Sequence, residues 1–376
     1  MEEQIQQNET QEASVTENVQ ETATEALQET APVEAAPKKE KFGITGSTLK
    51  IIAIISMFID HFGASIVEFY LYHVLQPNGT DYSKALICSR APWLWMDWMG
   101  DPDKVLSIDI TIRAIGRLAF PIFCFLLVEG FLHTHNMKKY LVRLGIFALV
   151  SDVPFDMAFF GEITLHHQNV FFTLFIAVLA LWALNYVKKQ ESFNGFHKFV
   201  DKIGFLTAGA FGAYASVTSM GAIFGYIVGS SFELGDTVSL VISGVIGFIA
   251  GIVVYLIKTG KYEAEKKIRV SVGLLYALGF FTLAELLCTD YGGWGVLAVV
   301  IMWLVRPAWV NGFNAGVLAL TIMSFGEATA FLSALPVELY NGKRGLKMKY
   351  FFYIFYPAHL ALYVLIRYCI LGVWGN

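Results

Sequence analysis

Charged side chains are scarce in this chain: 15% of its 376 residues are Asp, Glu, Lys or Arg, where soluble domains carry about 25%. With 56% hydrophobic residues, that scarcity excludes an ordinary soluble domain and points to a polytopic membrane protein. Cysteine is rare too. Cys88, Cys124, Cys288 and Cys369 form no CxxC pair, and three of them fall in apolar runs. Neither a disulfide framework nor a zinc site is expected. No Walker, GxSxG, HExxH or dinucleotide-binding fingerprint occurs in a suitable context. The basic residues are spread along the chain and form no nucleic-acid patch. Residues 1–40 lack aromatics and hold ten Glu against two Lys, a net of −8 that leaves the remainder about +4. Such a segment cannot bury enough apolar surface to order itself, so a disordered acidic tail is expected. It has neither a basic start nor an apolar core, so it does not read as a signal peptide. The first apolar helix is expected to serve as a retained insertion signal.

What is abundant is long apolar sequence. Runs at 48–74, 108–132, 140–160, 169–187, 203–231, 237–257, 269–288, 293–306, 309–333 and 350–373 are of the length a helix needs to cross a bilayer. The fold predicted is an all-α membrane bundle of about nine or ten transmembrane helices. It divides into a cytoplasmic acidic tail, 1–43, and a membrane domain, 44–375. Lys38, Lys39, Lys41 and Lys50 precede the first span, which places the N-terminus in the cytoplasm of a cell with the chain in its cytoplasmic membrane. The later basic loops alternate consistently until the end. There, ten simple spans would put Lys343, Arg344, Lys347 and Lys349 outside. A re-entrant segment between 290 and 335 removes the conflict. The Trp-rich stretch APWLWMDWMGDPD reads as an external loop at headgroup level, either an aromatic belt or a substrate entrance.

The spans are of two kinds. Residues 203–257 are almost free of charge and carry Gly221, Gly225 and Gly229 at four-residue spacing, a ridge for close helix packing that reads as scaffold. The first three spans instead hold Asp60, His61, Glu68, Arg113, Arg117, Glu129, Arg143 and Asp152. Ionisable groups at such depth must face one another or a wet cavity, and mark function by default. Arg117 either clamps an anion or pairs with Asp60 or Glu129. Asn169 and Thr173 lie four apart on one helix face, as helix–helix glue or as substrate contacts. His359 follows Pro357 by two residues, with Tyr353 and Tyr356 just above, as a cavity-lining group or as a structural histidine. His133, His135, His166 and His167 read as solvated, so no metal is expected.

Lys50 and His61 stand eleven positions apart across IIAIISMFID. At about 100° and 1.5 Å per residue they share one helical stripe and differ in depth by roughly 16 Å. A cation at the membrane edge leading to an intramembrane base suits a long anionic cofactor. The bland alternative is an edge marker plus a helix-bonding histidine.

Several ordered stretches carry a family resemblance: LKIIAIISMFIDHFG at 49–63, IGRLAFPIFCFLLVEGFLHT at 115–134, KKYLVRLGIFALVSDVPFD at 138–156, NVFFTL at 169–174, DYGGWGVL at 290–297, LYNGKRG and FFYIFYPAHL. Across most of residues 44–373 the chain resembles the TraX family, named for a conjugation protein that acetylates the N-terminus of pilin. It is distantly similar to the acyltransferase-3 membrane enzymes, whose hallmark is a basic residue, ten spacers and a His. The resemblance implies an acetyl-CoA-dependent acyltransferase. Lys50 would lie near the CoA phosphates, helped by Lys138, Lys139 and Arg143, and His61 at the transfer site. His61 would be the general base, oriented by a carboxylate such as Glu129 because Asp60 points about 100° away around the helix. Arg117 or Asn169 would stabilise the oxyanion, and Thr173, Tyr356 and His359 would contact the acceptor. The acceptor itself, a protein N-terminus or a surface glycan, and any self-association stay open. A transporter with a buried charged path and a non-catalytic pilus-assembly factor are the rival readings.

Overall fold

A computed structural model of the protein describes residues 43–74, 101–228, 234–347 and 349–371. The acidic tail, Cys88, the Trp-rich stretch as far as Gly100, and Gly229 lie outside the described residues. The chain divides between Phe42 and Gly43, and the described residues belong to the second unit. The helices are α1 Gly46–Phe62, α2 Glu68–Val74, α3 Pro102–Gly116, α4 Ala119–Leu132, α5 Met137–Phe159, α6 Val170–Lys189, α7 Gly195–Val228, α8 Leu234–Thr259, α9 Ala264–Leu286, α10 Gly292–Leu304, α11 Trp309–Met323, α12 Ala334–Glu338 and α13 Lys349–Leu371. A π turn, Gly63–Val67, joins α1 to α2, and a 3-10 helix, Phe325–Ser333, follows α11. Among the described residues the only β pairings are two isolated bridges.

Seven helical stretches are long and apolar enough to cross a membrane: Gly46–Leu71, Asp103–Leu132, Val170–Lys189, Gly195–Met220, Thr237–Thr259, Ala264–Leu286 and Tyr350–Cys369. This is the expected polytopic helical bundle. The predicted span at 140–160 is present as α5, but Lys138, Lys139, Arg143, Asp152 and Asp156 keep it from being equally apolar. It still turns Val142, Ile146, Leu149 and Val153 outward, the stripe expected of a lipid-facing helix. The short span at 293–306 is α10, a 13-residue helix. At the centre is α6. Ile176, Ala177, Val178, Ala180 and Leu181 are at most 2% exposed, and the helix packs on α5, α9 and α10. Only towards its C-terminal end do Trp182 and Tyr186 reach the surface. The low-charge region forms a seam between α7 and α8, where Gly247 and Gly251 sit so close to Gly212 and Ala208 that a Cβ on either would meet backbone oxygen within 2.3 Å. Close approach through small residues is how membrane helices associate.

The conflict over the C-terminal basic loop is resolved by the chain path. Ile44 bridges to Tyr340. The amides of Gly46 and Ser47 donate to the carbonyls of Lys343 and Arg344 at 2.8 and 3.0 Å. The loop carrying Lys343, Arg344 and Lys347 therefore lies on the same side as the start of α1. The return is made by α11, the 3-10 helix and α12, which go in and come back. Their lengths, roughly 22 Å for α11 and 18 Å for the nine-residue 3-10 helix, suit a short hairpin. The opposite side is marked by the second bridge, Gln168 to Thr289, which ties the α5–α6 connection to the α9–α10 connection.

Candidate functional site

The first helix begins with a cap. Thr45 Oγ1 accepts from the Thr48 amide at 3.3 Å, as N-cap residues do. From Lys50 the helix runs inward to His61 in its last turn, and the π turn follows at once. Such turns are uncommon and recur at functional sites. Here the Ser65 hydroxyl donates to the His61 carbonyl inside it, and Glu68 is turned towards α3.

The His61 ring faces α13. Its Nδ1 lies 2.7 Å from Nε2 of His359, and Nδ1 of His359 lies 2.7 Å from the carbonyl oxygen of Phe355. Phe159 and Tyr356 stand edge-on to the His61 ring at 5.3 and 5.8 Å between centroids. His359 is 3% exposed, so it forms the wall behind His61.

In front of His61 is a cavity of about 340 Å³ lined also by Asp60, Glu68, Arg113, Arg117, Asp290, Tyr291 and Tyr356. It reaches from the last two turns of α1, at Met57, Asp60 and His61, to the two connections at the second side, since Phe160, His167 and Asp290 complete it. Both of its arginines are paired. Arg113 binds Asp60 Oδ2 at 2.7 Å and Glu68 Oε1 at 3.2 Å. Arg117, at the break between α3 and α4, binds Glu327 Oε1 at 2.9 Å and lies near Tyr291. Tyr291 is stacked on Phe120 with 3.5 Å between centroids. Gly116 makes the arrangement sterically feasible: a Cβ there would lie 2.1 Å from Asp60 Oδ1. Carboxylates and guanidinium groups at this depth are expected to neutralise one another around a polar cavity.

The sequence-derived candidates divide accordingly. His61, Asp60, Arg117 and Tyr356 line one cavity. Asp60 is held by Arg113, and the partner of Arg117 is Glu327 instead of Asp60 or Glu129. Glu129 does not orient His61. It pairs with Arg306 and lies near Tyr340, near the first side. Burial, and secondly the Glu129 carboxylate, push the Tyr340 phenol above its ordinary range. The group against His61 is His359, which does not itself line the cavity. Asn169 is not available to an oxyanion or an acceptor. Its Oδ1 caps α6 by accepting from the Phe171 amide at 3.0 Å, and its Nδ2 donates to Ala148 O and Asp152 Oδ1 at 2.8 and 2.9 Å. Thr173 is fully buried, with its hydroxyl oxygen 3.5 Å from the Tyr291 amide, behind the cavity wall.

The cations proposed for the donor gather at the other end. The Lys50 ammonium lies 5.1 Å over the Phe352 ring. Arg143 stands near Tyr353, the next residue of α13. Lys138 and Lys139 occupy the exposed first turn of α5. Lys50, Lys138, Lys139 and Arg143 make no salt bridge among the described residues, and none of the four lines the cavity. Glu327 and Arg306 are absent from the sequence-derived set. The signal available for Glu327 is a lone carboxylate in the apolar run 309–333. No group of His, Cys, Asp and Glu that would hold a metal ion occurs among the described residues.

Comparison with known proteins agrees with this architecture. The family described as TraX protein matches residues 45–215 and 245–367. The chain is 25% identical over 324 residues to a protein of Dichelobacter nodosus named "Probable fimbrial assembly protein FimC, serogroup H1", covering 84% of this chain and 92% of that protein. No solved structure matches. With the family match running over most of the membrane domain, the chain belongs to the TraX family.

Proposed function

We propose that the protein is an integral membrane acyltransferase that moves an acetyl group from acetyl-CoA to an amine or hydroxyl acceptor. The observation that carries this reading is a histidine at the wall of a charged cavity, on the same helix as a lysine, eleven residues nearer the first side, that makes no salt bridge among the described residues. CoA would approach from the first side, taken as cytoplasmic. Lys50 and Arg143, with Lys138 and Lys139, would neutralise its phosphates as charge-assisted donors. The thioester would then reach inward towards His61, and the acceptor would enter from the second side.

In the transfer step the acceptor N–H or O–H gives its proton to His61 while its heteroatom bonds to the thioester carbonyl carbon. The carbon–sulfur bond breaks, and the proton passes to the departing thiolate. Arg117 faces the same cavity and supplies positive charge for the developing oxyanion. The relative named for fimbrial assembly makes a pilin N-terminus one candidate acceptor; a surface glycan is the other. The same name also supports a second reading, a non-catalytic assembly factor. Under that reading, substitutions at Lys50 and His61 leave function intact.

The test is acetyl-CoA turnover by detergent-purified protein. His61→Ala should lower it by on the order of 10²–10⁴-fold, the usual contribution of a general base, and Lys50→Ala should chiefly raise KM. Folded wild-type protein that neither binds nor consumes acetyl-CoA would overturn the proposal.

A further inference from the structure

We infer that His359 is a positioning residue that fixes His61 in the one tautomer able to act as a base towards the cavity; the kinetic consequence rests on the acyl-transfer reading, but the tautomer does not. The argument starts from a carbonyl. The Phe355 oxygen can only accept, so the 2.7 Å contact with His359 Nδ1 requires the proton on that nitrogen. In a neutral imidazole the other nitrogen is then an acceptor. Nε2 of His359 therefore accepts, and Nδ1 of His61, 2.7 Å away, must donate. That leaves Nε2 of His61 as a bare lone pair. It has no hydrogen-bond partner among the described residues, and His61 lines the cavity.

The ring geometry supports a hydrogen bond of good direction. The planes of His61 and His359 are 7° apart and their centroids are 4.9 Å apart. That separation exceeds the nitrogen-to-nitrogen distance by about one ring radius at each end, so the rings meet edge to edge in a common plane, as donor and acceptor lone pair require. The surroundings hold His359 in place without offering a competing partner. Phe355 and Tyr363 pack on its ring at 4.9 and 5.7 Å, and Phe58 approaches at 6.1 Å. The Tyr363 hydroxyl is committed to the Phe58 carbonyl at 2.7 Å. A chain of two imidazoles ending on a backbone carbonyl thus takes the place that a carboxylate fills in a His–Asp pair. It sets the tautomer of the base. When His61 gains a proton at Nε2, its Nδ1–H bond to His359 becomes charge-assisted and stronger. Helix α13 is therefore part of the reacting unit although its histidine does not touch the cavity.

The direct test is the ¹⁵N spectrum of the wild-type protein labelled at histidine, with His61 assigned by its loss in His61→Gln. A protonated Nδ1 and bare Nε2 on His61 are expected, and a bare Nδ1 would overturn the inference whether or not any activity is found. The kinetic arm uses His359→Phe, which keeps the ring shape without the acceptor, and His359→Gln, whose amide oxygen accepts in place of Nε2. With folding checked by thermal melting, kcat should fall on the order of 10²–10³-fold in the Phe variant. KM for acetyl-CoA should stay unchanged, and the Gln variant should recover much of the loss. Equal kcat in wild type and the Phe variant, or a Gln variant no better than Phe, would also overturn it.

Discussion

Substituting Gly116 by Ala is the sharpest perturbation of the cavity that adds only one carbon. The new Cβ would lie 2.1 Å from Asp60 Oδ1, 2.2 Å from Asp60 Cβ and 2.4 Å from Asp60 Cγ. Carbon atoms rest at about 3.5–4.0 Å, so the shortfall at Asp60 Cβ is more than 1 Å. Because that Cβ is fixed to the backbone of α1, turning the Asp60 side chain does not relieve it. Either α1 moves away from the end of α3, or the Asp60–Arg113 pair at 2.7 Å opens. Overpacking of this kind costs about 1–3 kcal/mol, and a parted buried ion pair raises the cost further. His61 is the next residue after Asp60, so the same displacement moves the proposed base. A misplacement of about 1 Å costs about 10²-fold in rate. The assay is thermal melting of the detergent-purified protein together with acetyl-CoA turnover. Gly279→Ala in α9 is the control, because a Cβ there meets nothing within 4 Å. It should leave the protein unchanged or raise its stability by about 0.5–1 kcal/mol through helix propensity. Equal melting temperatures and equal turnover in Gly116→Ala and wild type would refute the reasoning.

Other consequences follow from the pairings. Arg117→Leu strands the Glu327 carboxylate, whose side chain is 4% exposed, and should destabilise by about 3–5 kcal/mol. The double variant with Glu327→Leu should recover much of that in a thermal double-mutant cycle, and strict additivity would contradict the pairing. Asn169→Ala removes a helix cap and two donated bonds, so a loss of about 1–3 kcal/mol is expected. KM for the acceptor, measured on the folded fraction, should not move; a raised KM would return Asn169 to the acceptor site. Glu129→Ala leaves Arg306 without its partner and should lower the melting temperature while leaving turnover per folded molecule near wild type. A selective fall in kcat would mean that Glu129 takes part in the reaction after all.

Much of this was legible in the linear chain because it is governed by short-range rules. Apolar runs of about 20 residues become membrane helices wherever they lie; among the described residues the predicted runs are helical, the one at 108–132 as two successive helices, and seven helical stretches are long and apolar enough to cross a membrane. Basic residues flagged the odd segment near 290–335 because the alternation of loops failed there. The eleven-residue spacing of Lys50 and His61 put both on one stripe, and the structure keeps them in one helix. Partner assignments fared worse. Glu129 was a reasonable orienting carboxylate by type and depth, yet Arg306, 177 positions later, takes it. Asn169 read either as helix–helix glue or as a substrate contact, and its bonds to Ala148 and Asp152 of the neighbouring helix are of the first kind, a choice that the chain alone does not reveal.

The sequence by itself determined the class of the protein, its helices and the placing of Lys50 and His61 on one of them. Helix periodicity and hydrocarbon thickness are local constraints, and a residue's type and neighbours carry them. Only the tertiary structure decided which groups meet: His61 with His359 across 298 positions, Asp60 with Arg113, Arg117 with Glu327, and the 340–347 loop with the start of α1. Those meetings depend on how helices tilt, rotate and approach one another. Such rigid-body choices are fixed by the packing of all their faces at once, so no single stretch of sequence encodes them.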